Sequence, residues 1–595
     1  KTKIENSYGE KIKLLTDIVS PEGKVITSKL EFKVIKDNNT ITQNFIVYNP
    51  LLWSPESPSI YEAISRVYKG DTLMDTYTTH FGIRDIKFIP EKGFYLNGKY
   101  RKIYGVCNHH DLGPLGAAVN VSALRYQLEL LKDMGCNAIR TSHNMPAPEL
   151  VRLCDEMGFM MIIESFDEWD MPKCKNGYNR YFNEWAEKDM VNMIHQYRNS
   201  PSVIMWSIGN EVPNQYVKGG YKVASFLKEI CHREDPTRPV TCGLCILPDV
   251  LDNGFAEVLD VPGFNYHHKD YDEIYRKLPQ KIALATESAA TVSSRGIYKF
   301  PVKEKIDARY IDKQSSSYDI ERCKWSNIPD YDLAVTEDNP WVIGQFVWSG
   351  FDYLGEAIPY DIDSWPSHSS LFGIIDLASI PKDRYYLYRS VWNINKETLH
   401  ILPHWTWRGK EGENIPIYVY TNYDSAELFV NGKSYGIRKK SHDDILKRYR
   451  LIWDDVIYEP GEVKVIAYDN EGNPALEKSV FTAGKPHHIE LIPNKMIMKS
   501  DGKDLVYVNL RIVDKDGNLC PMDSSLVKFS VKGNGFYKAA ANGNSTCLDL
   551  FHLPQMHAFN GMLTVILQSS TDRGSVKLKA EAKGLIKGEV NIKVD

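Results

Sequence analysis

The chain has 595 residues, 43% hydrophobic and 25% charged, with a net charge of −5, an ordinary globular usage with length for roughly four domains. Lys and Arg are scattered rather than clustered, so neither nucleic acid nor an anionic membrane surface is expected as a partner. No run is long and apolar enough to span a bilayer, and ten cysteines over this length do not make a disulfide scaffold.

Residues 1–85 alternate apolar and polar positions, as in Leu30-Glu31-Phe32-Lys33-Val34, between turn clusters such as Pro21-Glu22-Gly23. That rhythm predicts a small immunoglobulin-like β-sandwich. No signal peptide opens the chain and Lys1 falls in mid-domain, so a targeting segment is expected to have been removed.

Over residues 86–400 the rhythm changes to short apolar strands alternating with amphipathic helices, which predicts a (β/α)₈ TIM barrel. The eight strands are expected near Ile103-Val106, Asn137-Arg140, Phe159-Ile163, Val203-Ile208, Pro239-Thr241, Val261-Asn265, Ile282-Glu287 and Val342-Trp348. The intervening helices carry apolar faces such as Leu124, Leu128 and Leu131, or Val223, Phe226, Leu227 and Ile230. Pro148 suits the first turn of the second helix. Residues 401–484 and 485–595 return to alternating β patterns, with a hairpin signal at Asn431-Gly432, and predict two further β-sandwiches, the last immunoglobulin-like.

The chemistry gathers at strand ends. The fourth strand closes on Asn210-Glu211 and the seventh on Glu287. A lone glutamate there would simply cap the next helix; two of them at the carboxyl face of one barrel are what a glycosidase needs, one to protonate the leaving oxygen and one to attack the anomeric carbon. His109, Arg140, His143, Asp167, Glu168, Tyr266 and Trp348 also follow barrel strands, a set of donors, acceptors and aromatic surface suited to a hydroxyl-rich substrate. The His pairs at 109–110 and 267–268 lack the helical i, i+4 spacing of zinc hydrolases, and Cys242-Gly-Leu-Cys245 is a lone CxxC, so no metal and no cofactor is expected.

Several stretches resemble glycoside hydrolase family 2, especially its bacterial β-galactosidase-like members: Phe81-Gly82-Ile83-Arg84, Gly93-Phe94-Tyr95-Leu96-Asn97-Gly98, Gly105 to Asp111, Asn137 to Asn144, and Trp206 to Glu211. The resemblance covers residues 1–400 and implies a retaining exo-β-glycosidase with Glu211 as acid/base and Glu287 as nucleophile. It further implies that Asn210 holds the sugar 2-hydroxyl, Tyr266 bonds the nucleophile, Arg140 orients Glu287, and His109, His143 and Trp348 line the sugar subsite. Three departures follow. The jelly-roll domain that opens family members is missing, as in a truncated chain. The Glu-x-His magnesium pair of the large galactosidases has no counterpart in Glu164 to Asp170. The Asn-x-Lys grip of glucuronidases is replaced by Ser370-Leu371-Phe372 before Gly373, which argues against a uronic acid. The expected substrate is a terminal β-galactoside of an oligosaccharide or polysaccharide; β-glucuronidase, β-mannosidase and a non-catalytic carbohydrate-binding protein are the alternatives. A periplasmic or extracellular location is expected from family habit, and a four-domain layout with exposed sandwich faces permits a homodimer without requiring one.

Overall fold

The computed structural model describes residues 1–5, 9, 11–34 and 39–595. At its centre is a closed barrel of eight parallel strands, β1 (Ile103–Asn108), β2 (Ala138–Thr141), β3 (Met160–Glu164), β4 (Val203–Asn210), β5 (Val240–Leu244), β6 (Gly263–Asn265), β7 (Ala283–Ser288) and β8 (Val342–Val347). Their order around the barrel is their order in the chain, and β8 pairs back onto β1.

The pleat decides which side chains reach the interior. Met160 and Ile162 point into the barrel while Met161 and Ile163 face the helices, the period of two expected of a strand buried on both faces. The same register carries Ala138 inward with Ile139 outward, and therefore brings Arg140 and Glu164 to the inside of the barrel at the carboxyl ends of β2 and β3. Interior packing by Ile103, Cys107, Ile204, Leu284 and Phe346 fills the barrel below them, so polar chemistry is confined to the top.

The helices follow from their sequence faces. Helix α1 (Val121–Met134) starts where the Asn120 side chain accepts the Ala123 N–H at 3.0 Å, and stops at Gly135 in the left-handed conformation. Helix α2 (Pro148–Met157) has Pro in its first turn and Gly158 at its end. Helix α3 (Phe182–Tyr197) buries Ala186, Met190, Met193, Ile194 and Tyr197. Helix α4 (Tyr221–Glu234) corrects one expectation: Phe226 is 41% exposed, and Ala224 and Cys231 join Leu227 and Ile230 on the buried face. The inward stripe is rotated to run through Ala224, Leu227, Ile230 and Cys231, leaving Phe226 on the outer side.

Around the barrel lie β-sandwich domains. The N-terminal strands Lys11–Val19, Val25–Val34, Tyr61–Lys69 and Thr72–Phe81 form one antiparallel sheet over a small core of Ile4, Ile12, Leu14 and Ile41. This region is fastened beneath the barrel: Arg84 Nε donates to the Pro201 carbonyl at 2.5 Å, and Trp53 Nε1 donates to the Asp155 carbonyl at 2.9 Å. After the barrel, a three-stranded and a four-stranded sheet enclose Trp405, Ile417, Leu428 and Val465. Asn431 and Gly432, both at positive φ (49° and 79°), turn that hairpin. A four-stranded and a five-stranded sheet then enclose the last core. The buried ion pair of Arg450 with Asp330 locks the first C-terminal unit to the barrel, and Arg295, held by Asp376, donates to the Asn542 and Phe559 carbonyls of the last unit at 2.7 and 3.3 Å.

Candidate active site

The carboxyl ends of the strands open into a cleft of about 740 Å³, lined by His109, His143, Asp167, Asn210, Glu211, Tyr266, Glu287 and Trp348 together with Lys173, Cys245, Asn265, His267, Trp325, Glu356 and Phe372. Two of the lining groups leave their strands in an unusual way. Glu211 and Tyr266 are non-glycine residues at positive φ, 46° and 64°, a conformation that costs on the order of 1–3 kcal/mol. Each turn is held by a backbone bond to the next strand: Glu211 N–H to the Gly243 carbonyl at 2.8 Å and Tyr266 N–H to the Glu287 carbonyl at 2.9 Å. The turn ends each strand in place.

Glu287 is the best-held carboxylate of the cleft. It is 4% exposed; Oε1 accepts from Arg140 Nη1 at 2.9 Å, and Oε2 accepts from the Tyr266 hydroxyl at 2.8 Å. Burial pushes its carboxyl above the ordinary range, Arg140 and His143 pull the other way, and the nearby Glu211 charge adds to the push. Glu211 is only half-buried and accepts one neutral donor, Asn265 Nδ2, at 2.9 Å. The same Asn265 amide donates to Asn210 Oδ1 at 3.0 Å, so one amide joins the Asn–Glu pair to the strand beside Glu287. Gly243 has no side chain for a reason: a Cβ there would stand 2.5 Å from Asn210 Oδ1.

Behind the cleft, fully buried, Arg140 spends every donor it has. Nε and Nη2 bond Glu164 Oε2 at 2.9 and 2.6 Å, Nη2 also bonds Asn210 Oδ1 at 2.9 Å, and Nη1 serves Glu287 and the Thr286 carbonyl at 2.9 and 3.0 Å. His143 stacks on Trp348, with centroids 5.3 Å apart and planes 6° from parallel, and its Nδ1 lies 2.7 Å from Glu164 Oε1. His109 packs edge-on to Trp348 and tilted against Tyr353. Burial lowers its imidazole to about 4, with His143 adding to the drop, and its Nε2 has no protein partner. The ring is thus neutral, with a buried Nε2 that no protein group among the described residues satisfies.

One site expectation is corrected. Glu168 does not line the cleft: it is 4% exposed, and its carboxylate accepts the backbone N–H groups of Lys173 at 2.6 Å and Asn179 at 2.9 Å. Its place is inside the loop after β3, which it closes; Asp167 in the same loop does reach the cleft, bound to Lys173 Nζ at 2.8 Å. Lys173, Asn265 and Trp325 were not singled out from sequence. Asn265 carries the same signal as Asn210, a polar residue closing an apolar strand. Lys173 and Trp325 sit in long loops whose course has no sequence period.

Comparison with known proteins agrees with this geometry. Residues 88–312 match the family model "Glycosyl hydrolases family 2, TIM barrel domain", residues 1–84 match "Glycosyl hydrolases family 2", and residues 489–591 match "Glycoside hydrolase family 2 C-terminal domain 5". Residues 412–475 match a domain of unknown function. A β-galactosidase, BoGH2A of Bacteroides ovatus, is 40% identical over 99% of this chain, which covers 73% of that protein. The chain belongs to glycoside hydrolase family 2. A putative β-glucuronidase of Formosa agariphila is 32% identical over 90% of the chain, which spans only 52% of that longer relative. Among solved structures, a β-glycosidase from Bacteroides vulgatus superposes with a TM-score of 0.86 at 33% identity, covering 100% of this chain and 78% of that one. The family member described here is thus a glycoside hydrolase with a TIM barrel flanked by β-sandwiches. No cluster of His, Cys, Asp or Glu able to hold a metal occurs among the described residues. The ten cysteines are all free thiols, Cys242 and Cys245 included. Among the described residues no helix is long and apolar enough to cross a membrane.

Proposed function

We propose that this chain is a retaining exo-β-glycosidase acting on a terminal β-galactoside of an oligosaccharide or polysaccharide, with Glu287 as nucleophile and Glu211 as acid/base. The observation that carries the reading is the unequal setting of the two carboxylates in one cleft. Glu287 has a donor on each oxygen, which favours its ionised form over the protonated one and fixes it as an attacking group. Glu211, half-buried with a single amide donor, is free to give up and take back a proton. In the first step Glu287 bonds to the anomeric carbon as the glycosidic bond breaks, and Glu211 delivers its proton to the departing oxygen. In the second, Glu211 removes a proton from water, the water oxygen bonds to the anomeric carbon, and Glu287 leaves as a carboxylate.

A neutral sugar is favoured by the charges of the cleft. Among the described residues Lys173 is the one Lys or Arg lining it, and its ammonium is already bound to Asp167 and to the Asn210 carbonyl at 3.1 Å. Glu356, which burial pushes above its ordinary range, accepts from the Tyr353 hydroxyl; it and Phe372 line the cleft without offering a cation to a sugar carboxylate. The 40% identity to a β-galactosidase of Bacteroides ovatus supports the same choice. The second reading, a β-glucuronidase, is favoured by the 32% identity to a putative β-glucuronidase of Formosa agariphila. A panel of nitrophenyl β-galactoside, β-glucuronide and β-mannoside tests it. The galactoside is expected to be cleaved fastest, and a clear preference for the glucuronide overturns the neutral-sugar argument.

A further inference from the structure

Glu164 closes β3 but does not reach the cleft, and no step above uses it. It is completely buried and binds Arg140, His143 and Ser207 at once. Its Oε2 accepts from Arg140 Nε and Nη2 and from the Ser207 hydroxyl at 2.7 Å; its Oε1 faces His143 Nδ1 at 2.7 Å. The carboxylate's acceptor sites are filled.

Two consequences follow from counting charges and donors. The Arg140 guanidinium is shared by two buried carboxylates: Glu164 takes two of its N–H groups and Glu287 takes one. One cation therefore serves two anions, and a buried cluster of that kind is costly without a second cation. The group placed to supply it is His143. A carboxylate is an acceptor only, so Glu164 fixes the proton on Nδ1 and leaves Nε2 as the atom whose protonation changes. That Nε2 lies 3.6 Å from Glu287 Oε1 and 3.4 Å from Asn210 Nδ2.

We propose that Glu164 is a positioning residue that holds His143 as an imidazolium facing Glu287, so that the nucleophile has two cationic partners while Arg140 is largely committed elsewhere. The inference rests on the assignment of Glu287 as nucleophile. The surroundings of His143 divide: Arg140, burial and the Asn210 Nδ2 donor at 3.4 Å favour the neutral ring, and the carboxylates favour the charged one. Glu164 on β3 and Glu287 on β7 favour the charged ring, and Trp348 after β8 offers it an aromatic face. Arg140 on β2 opposes it; His109 after β1 stays neutral and does not compete; Glu356 adds a further negative group across the cleft. Burial works against the imidazolium, but the Glu164 bond and the two carboxylate charges outweigh it, and the His143 value rises above the ordinary 6.5.

The test is histidine titration followed by NMR on protein labelled at the imidazole Cε1, with His143→Gln to assign the resonance. In the wild-type chain His143 is expected to titrate above the ordinary histidine value of about 6.5, and in Glu164→Gln at least about one unit lower. Ser207→Ala, which leaves Glu164 charged, is expected to keep the midpoint within about half a unit. The nitrophenyl glycoside that the wild type cleaves fastest supplies the kinetic readout: Glu164→Gln is expected to lose at least about tenfold in kcat with KM within about threefold, and Glu164→Asp to recover part of it. A wild-type midpoint below 6.5, or an unchanged midpoint in folded Glu164→Gln, overturns the proposal; the first result decides even if Glu164→Gln does not fold. Glu287→Gln separates the two assignments. If that variant stays active, the nucleophile assignment fails. If it is inactive while His143 titrates identically with and without Glu164, the positioning role alone fails.

Discussion

The two walls of the cleft carry the same side chain and treat it in opposite ways. On the β7 wall Glu287 is buried, with Arg140 and Tyr266 each fixing one oxygen and Glu164 and His143 packed behind. On the β4 wall Glu211 turns away from its strand at positive φ, half-buried, with the Asn265 amide as its one donor. A carboxylate with both oxygens fixed in a dry setting attacks one point in space and exchanges protons poorly. A carboxylate at the edge of solvent shuttles protons but attacks nothing with precision. In the proposed mechanism the difference between nucleophile and acid/base is thus a difference of surroundings, written by the residues one strand away.

The comparison is broken most severely at Glu287. Glu287→Gln is expected to lower kcat by roughly 10⁴-fold or more with the fold intact, checked by steady-state kinetics beside circular dichroism. Because burial raises its carboxyl, the acid limb of kcat/KM is expected above 4.5, where an ordinary glutamate titrates. Glu211→Gln is expected to cost about 10²–10⁴-fold on glycosides with poor leaving groups. The loss shrinks for nitrophenyl leaving groups, which depart without a proton; an equal loss on both kinds would contradict the acid/base role. Arg140→Gln leaves Glu164 and Glu287 buried beside each other without their shared cation, and is expected to destabilise the chain by about 3–5 kcal/mol in urea unfolding. Tyr266→Phe removes one of the two donors to Glu287 and is expected to cost roughly tenfold in kcat, the equivalent of about 1.4 kcal/mol.

The smallest effect is on stability in acid. At Glu164 burial opposes ionisation, but Arg140, His143 and Ser207 prevail, and its carboxyl lies below 4.5. A group whose value falls on folding contributes stability that is fully present above its unfolded value and is lost as pH drops through the folded one. The stability difference between wild type and Glu164→Gln is therefore expected to narrow below about pH 4.5, measured by urea unfolding; a difference that grows on acidification would contradict the sign.

The same contrast explains what the sequence could disclose. All eight barrel strands were legible, because a strand buried on both faces must be a short apolar run between turns, and the glutamates at 211 and 287 announced themselves by interrupting such runs. Glu164 interrupts one too, after Phe159 to Ile163, but nothing local says that its partners are Arg140, His143 and Ser207 on three other segments. Glu168 looked equivalent to Asp167, one residue away. Its carboxylate turns instead to the N–H groups of its own loop, and loop geometry has no periodic trace. Phe226 misled for a related reason: two apolar stripes at helical spacing overlap on this helix, and the one through Ala224 and Cys231 is the one that faces inward.

The most direct test of the account is to trap the intermediate. A 2-deoxy-2-fluoro-β-galactoside with a good leaving group, followed by peptide mass spectrometry, is expected to leave one covalent sugar on Glu287, and NMR of the turnover of an ordinary substrate to show the β-anomer released first. A sugar found on Glu211, or first release of the α-anomer, would contradict the division of labour between the two walls.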